Sequence, residues 1–216
     1  MERFHNRSDA GRQLAKALAH LQGSNPMVLG LARGGVEVAA EVAKALRAPL
    51  DVLVARKVGA PTNPEYGIGA VAPGGIAVFD HEAVRRVGVS DEDLAEITKR
   101  EVAEVERRLR LYRGDVPLDL VGKCAILVDD GLATGITALA SVRYARFLNP
   151  SKLVFAVPVS STQGADLLRP EVDEFVALDT PPFFYAVGAW YDDFSQTSDE
   201  EVLELIQGNA STFDLR

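Results

Sequence analysis

Asp129 and Asp130 stand side by side after the apolar run Cys124 to Val128, and Gly131-Leu-Ala-Thr-Gly-Ile-Thr137 follows them directly. The run has no polar alternation, so it reads as a strand buried on both faces, as at the centre of a parallel sheet. Thr134 to Leu148 carries helical spacing through Ile136, Leu139, Ala140, Val142, Arg143 and Phe147, and Asn149-Pro150 ends it. Strand, glycine-bracketed turn and helix in this order leave the helix's first N–H groups unpaired and aimed at the turn, which favours a phosphate there. Thr134 and Thr137 add hydroxyl donors. Two carboxylates beside a phosphate site repel the ligand unless it offers them hydroxyls or a bridging divalent cation. A sugar with a phosphate at one end and a vicinal diol at the other satisfies both demands. The plainer reading is an ordinary strand-to-helix turn with solvated aspartates at a sheet edge.

Val128-Asp-Asp-Gly-Leu-Ala-Thr-Gly135 resembles the phosphoribosyl-pyrophosphate (PRPP) motif of type I phosphoribosyltransferases. It is not a Walker A loop, because Gly131 to Gly135 is too short and no lysine follows. The resemblance implies that Gly131, Leu132, Ala133, Thr134, Gly135 and Thr137 hold the PRPP phosphate. It also implies a catalytic set of Asp129, Asp130 and Lys57, with Mg²⁺ held by Asp129, Asp130 and Asp192. A second strand, turn and helix unit runs from Met27-Val-Leu-Gly-Leu31 through Ala32-Arg-Gly-Gly35 into Val36 to Leu46. Adjacent glycines form a nest of amides for an anion and Arg33 supplies charge. This turn resembles the pyrophosphate loop of the same family, in which a strained non-proline cis peptide is common. Arg56-Lys57 follows the strand Leu50 to Ala55, and cations at the carboxyl end of a strand suit a pyrophosphate. The implied pyrophosphate set is therefore Arg33, Gly34, Gly35, Arg56 and Lys57; a solvated basic pair is the alternative for the last two.

The remaining elements must position these residues. Ser8 and Asp9 are candidate caps for a first helix with apolar positions Leu14, Ala15, Leu18 and Leu21. Val58 to Gly75 is too rich in glycine and proline for a core element, so it reads as a flexible loop, and the resemblance makes it the lid over the reacting sugar. Ile76 to Phe79 is expected as an antiparallel strand at the sheet edge. Ser90 caps a long helix to about Tyr112, with Asp91, Glu92 and Asp93 in its first turn and Arg107, Arg108 and Arg110 near its end. That helix reads as a packing element, with contact to a second subunit in a homodimer as the sharper alternative. Lys152 to Val157 and Glu174 to Leu178 complete the strands, separated by a short helix at Thr162 to Leu168.

Phe183-Phe-Tyr-Ala-Val-Gly-Ala-Trp-Tyr-Asp-Asp-Phe194 concentrates the aromatics. Tyr-Ala-Val-Gly-x-x-x-Asp resembles the hood of hypoxanthine-guanine phosphoribosyltransferases. By that likeness Tyr185 stacks on the base, Ala186 and Val187 offer backbone contacts to its edge, and Asp192 assists the metal. An aromatic tail that merely seals a sheet edge is the plain alternative. Ser198 is a candidate cap for a final helix through Ile206, with loose residues after it.

A net charge of -8 and a pI near 5.0 argue against a broad nucleic-acid surface. A single cysteine, Cys124, excludes disulfides and cysteine-based metal sites. No signal-peptide core and no membrane-spanning run is present, so a cytoplasmic protein without nucleic-acid or membrane partners is expected. The fold expected from the resemblance is α/β and three-layered, with a mostly parallel six-stranded sheet in the order 3-2-1-4-5-6 and strand 3 antiparallel. Residues 1–178 form its core, including loop 58–75, and 179–216 form a C-terminal hood and terminal helix. The implied reaction is phosphoribosyl transfer from PRPP to a nitrogen heterocycle, a nucleobase of purine salvage, with release of pyrophosphate. A non-catalytic PRPP- or nucleotide-binding regulator is the alternative. Ala133 stands where the 6-oxopurine enzymes carry an aspartate, and no lysine after Val157 is placed to read a purine oxygen. Adenine or a smaller heterocycle is the expected acceptor.

Overall fold

The computed structural model describes residues 3–212. In chain order the main elements are α1 (Arg7–Ala17), β1 (Pro26–Leu31), α2 (Gly34–Leu46), β2 (Leu50–Leu53), β3 (Arg56–Ala60), β4 (Asn63–Val71), β5 (Ala77–Phe79) and α3 (His81–Val87). There follow α4 (Asp91–Arg113), β6 (Cys124–Val128), α5 (Ile136–Phe147), β7 (Lys152–Val159), α6 (Thr162–Leu168), β8 (Glu174–Asp179) and α7 (Asp199–Thr212).

Five strands form a parallel sheet in the order β2-β1-β6-β7-β8. All five residues of β6 are buried, as its unbroken apolar run requires. Ile126 and Val128 face a layer containing Leu14 of α1, Leu18 just after it, and Val38 and Val42 of α2. Ala125 and Leu127 face the opposite layer, with Leu139 and Val142 of α5 and Leu168 of α6. The parallel pairing of Gly30 with Val128 brings β1 and β6 to their carboxyl ends at the same level. The two turns singled out in the sequence therefore leave the sheet next to each other.

The sequence-based order holds for five of the six expected strands, but the strand at 76–79 does not join them. It is β5, in a separate antiparallel sheet of order β3-β4-β5. The stretch 58–75, expected as a loop, contributes the body of that sheet. Its glycines are what tight pairing needs. A Cβ on Gly59 would collide with the Pro64 carbonyl oxygen, and one on Gly69 would stand 2.5 Å from Val78 O. Val58, Ala60, Ile68 and Ala70, the chain neighbours of these glycines, are buried. Register shifts on both sides of Gly59 bend the hairpin. Exposure concentrates at its tip, Pro61 to Glu65.

Smaller differences concern ends. Asn6 caps α1, accepting from the Asp9 amide at 2.9 Å, so Ser8 and Asp9 lie inside the helix. Ser90 caps α4 as its sequence indicates. The last helix runs past Ile206 to Thr212, so residues 207–212, expected to be loose, are helical; the rest of that expectation, 213–216, lies outside the described residues. Among the described residues no helix is long and apolar enough to cross a membrane.

Gly30 lies where β1 passes under α2: a Cβ there would meet Val36 Cα at 2.6 Å. Gly30→Ala is therefore expected to cost about 1 to 3 kcal/mol through overpacking. Gly208, inside α7 with open space around its Cα, offers the opposite case, and Gly208→Ala is expected to add about 0.5 to 1 kcal/mol. Urea unfolding of both variants checks the contrast, and equal stabilities would refute the packing assigned to β1 and α2.

Candidate functional site

The site is built where the β1 and β6 turns meet. The Ala32–Arg33 peptide is cis. Gly34 and Gly35, which open α2, press against the two aspartates. A Cβ on Gly35 would lie 2.9 Å from Asp129 Oδ1, and one on Gly34 would collide with Asp130 Oδ2. Asp129 Oδ1 accepts from the Asp130 amide at 2.9 Å. Asp130 Oδ2 accepts from Arg7 Nε at 2.8 Å. Each carboxylate thus commits one oxygen to the protein, and Asp129 Oδ2 and Asp130 Oδ1 take part in neither bond.

Burial pushes both carboxyls above the usual carboxylate range, Asp129 most strongly, and for Asp129 the neighbouring Asp130 charge adds to the effect. The Arg7 guanidinium opposes the rise at both.

The turn from Gly131 to Gly135 is held from behind. Leu132 N donates to Val159 O at 2.9 Å, Ser161 N to Leu132 O at 2.7 Å, and Ser161 Oγ to Ala133 O at 2.5 Å. Ala133 and Thr134 face solvent. Gly135 takes φ +85°, and no side chain caps α5. A twelve-residue helix therefore presents its amino end uncapped beside two carboxylates.

Arg33 stands at the start of α2, its Nη1 3.7 Å from Asp199 at the head of α7. Arg56 and Lys57 are not gathered with it. The chain leaves the main sheet after Leu53, so both open β3. Arg56 Nε donates to Glu101 of α4 at 2.7 Å, and Lys57 Nζ to Glu65 O at 3.1 Å. They line a separate cleft of about 590 Å³ between the hairpin and α4.

The hood reaches the site through Val187, one of the expected residues, and through Tyr191, which was not expected. Val187 packs against Gly131, and Tyr191 Oη donates to Asp130 O at 2.5 Å. Tyr185 is 97% exposed. Asp192 is exposed and gives its amide to Phe4 O. Among the described residues no three acids, histidines or cysteines converge to hold a metal, so Asp192 is not grouped with Asp129 and Asp130.

Arg7 and Tyr191 escape the sequence reading. Arg7 carries one available signal: a cation in the first turn of a helix opposes the helix dipole, which marks it as serving something else.

Because the Asp129 carboxyl is raised, the folded protein gains stability as pH falls through its folded value. Asp129→Asn is accordingly expected to be more stable than the wild type near pH 7 and to melt at a higher temperature. The advantage should fade toward about pH 4, where the unfolded carboxyl also becomes protonated. Thermal melts across this range are the test, and an Asn variant less stable at pH 7 would refute the assigned burial.

The sequence profile of the phosphoribosyl transferase domain matches residues 2–189. Over 207 residues the chain is 44% identical to a Mycobacterium tuberculosis protein provisionally named a phosphoribosyl transferase, covering 95% of this chain and 47% of that protein. The chain spans about half the length of the curated relatives it matches. Among solved structures, the protein TT1426 from Thermus thermophilus is similar at 42% identity and a TM-score of 0.79, with 95% of this chain and 98% of that one covered. A hypothetical protein from Neisseria gonorrhoeae, crystallised with ppGpp, shares the fold at 11% identity and a TM-score of 0.53, covering 96% and 97%. With its paired strand-end turns inside the matched span, the chain belongs to the phosphoribosyl transferase domain family.

Proposed function

We propose that the chain transfers the phosphoribosyl group of PRPP to a nitrogen heterocycle and releases pyrophosphate. The observation that carries this reading is the uncapped amino end of α5 set beside two carboxylates with one oxygen each to spare. The α5 amides with Thr134 and Thr137 take the 5-phosphate. Asp129 Oδ2 and Asp130 Oδ1 accept from the ribose hydroxyls and fix the ring. The Arg33 side chain and the amides of Gly34 and Gly35 face the pyrophosphate. This set needs no covalent nucleophile, since charge builds on the ring and the leaving group and is met by groups already in place.

The donors also fit Mg²⁺, which is held by one or two carboxylates together with substrate oxygens and water rather than by a full protein cage. Asp129 and Asp130 would hold it, and its charge would neutralise the departing pyrophosphate.

For the acceptor, Tyr185 offers a free ring face, and Ala186 and Val187 offer backbone groups above the loop. Ala133 provides no carboxylate to take a proton from a 6-oxopurine. Adenine or a smaller heterocycle fits better than guanine, within purine salvage. The engagement of Arg56 with Glu101 and of Lys57 with Glu65 favours the second reading, a PRPP- or nucleotide-binding regulator without transfer. Pyrophosphate release measured across a nucleobase panel separates the two. Release with adenine or a small heterocycle and little with guanine is expected; release with none would leave only the regulator.

The same Asp129→Asn change that stabilises the fold is expected to weaken PRPP binding by about 1 to 3 kcal/mol, because a charged acceptor is lost. Calorimetry showing unchanged affinity would remove Asp129 from the site. Tyr185→Ala is expected to raise the acceptor KM while leaving PRPP binding intact, since only stacking is lost. Unaltered acceptor kinetics would show that the ring faces nothing in the reaction.

A further inference from the structure

Arg7 is a buried cation whose side chain is 8% exposed. Its Nε donates to Asp130 Oδ2 at 2.8 Å and its Nη1 to Ser195 O at 2.6 Å. The same Nη1 lies 3.8 Å from Glu37 Oε1 of α2, and the guanidinium carbon sits 3.9 Å from the centre of the Phe194 ring. One planar group therefore touches the β6 turn, the hood and α2 at once. The hood is joined to the same segment by backbone. Phe4 N donates to Trp190 O, Asp192 N to Phe4 O and Asp193 N to His5 O, each near 3 Å. Tyr191, packed between the Phe4 and Phe194 rings, closes the circuit by donating to Asp130 O.

A buried ion pair is weak grounds for a stabilising role, since desolvating two charges offsets most of their attraction. What this one does supply is geometry. With Oδ2 taken by a forked donor, the Asp130 carboxylate cannot turn, and Oδ1 is left toward the ligand. Gly34 is needed here because Arg7 and Asp130 fill the space of its Cβ.

We propose that Arg7 is a positioning residue for the phosphoribosyl site, orienting the Asp130 carboxylate and tying it to the hood so that sugar and acceptor are held by one rigid unit. The inference rests on the reading of Asp129 and Asp130 as the ribose-binding pair. Lysine cannot replace the arginine, because a point charge lacks the fork that reaches Asp130 and Ser195 together.

The test measures PRPP binding with MgCl₂ by calorimetry, and steady-state kinetics, for the wild type, Arg7→Met, Arg7→Lys, Asp130→Asn and the Arg7→Met/Asp130→Asn double variant, each with a thermal melt. Arg7→Met is expected to weaken PRPP binding roughly 10- to 100-fold, as loss of a partner that orients a ligating carboxylate commonly does. Arg7→Lys should recover only part of that loss, and kcat should fall along with affinity. In the Asp130→Asn background the further effect of Arg7→Met should largely vanish, since both changes remove the same interaction. Full additivity, or a lowered melting temperature with unchanged PRPP binding, would overturn the proposal in favour of a packing role. Should Arg7→Met not fold, Arg7→Lys decides alone: wild-type PRPP affinity and kcat would overturn it. A wild type that binds no PRPP would instead sink the functional reading, and this inference with it.

Discussion

The structure depends on bringing two strand-end turns into contact while two adjacent carboxylates are buried between them. Side-by-side ionised carboxyls out of water repel each other and lose hydration, and both Asp129 and Asp130 show the cost as a raised proton affinity. The molecule meets that cost with one cation. Arg7 comes from a helix that starts over the site and packs its apolar face, Leu14 and Leu18, against the β6 side of the core. Gly34 and Gly35 contribute by lacking side chains, since a Cβ on either would collide with the acids. The parallel pairing of Gly30 with Val128 sets the level at which all of this happens.

Much of this was legible in the sequence because it is local. The Cys124 to Val128 run, the paired acids and the glycine-bracketed turn are contiguous, and period and composition suffice to place them on a strand, a turn and a helix. The hairpin was not legible, because glycine and proline signal a loop whether the chain is loose or tightly paired. Gly59 and Gly69 are demanded by contacts with Pro64 and with Val78 and Phe79 that composition does not express. Arg7 was hidden for a different reason. Its partner Asp130 lies 123 residues away, and no spacing rule links them.

Arg56-Lys57 shows how the partners of a basic pair depend on more than the strand before it. A basic pair does follow an apolar strand, but β2 is the sheet's edge, with a partner only on the β1 side. Nothing holds the chain in line beyond Leu53, and it turns out of the sheet into the hairpin. The cations then lie against α4, whose Glu101 and Glu104 draw in Arg56. The second sheet is thus both the reason strand 3 is missing from the first and the reason these cations pair with Glu101 and with the hairpin's own Glu65.

The aromatic tail divides along the same physical line. Tyr191 is buried, Phe194 lies against the Arg7 guanidinium, and Phe184 stacks with Trp190, so these rings seal the hood onto the chain's first residues. Burial accounts for their residue types. It accounts for neither Phe183 nor Tyr185, which are 90% and 97% exposed and recover no hydrophobic free energy from the fold. A single exposed aromatic needs no explanation, but here two lie just before Val187, which closes over the Gly131 turn. Leaving them in water while anchoring their neighbours makes the hood a fixed arm with two exposed rings, the arrangement that the acceptor role proposed for Tyr185 needs.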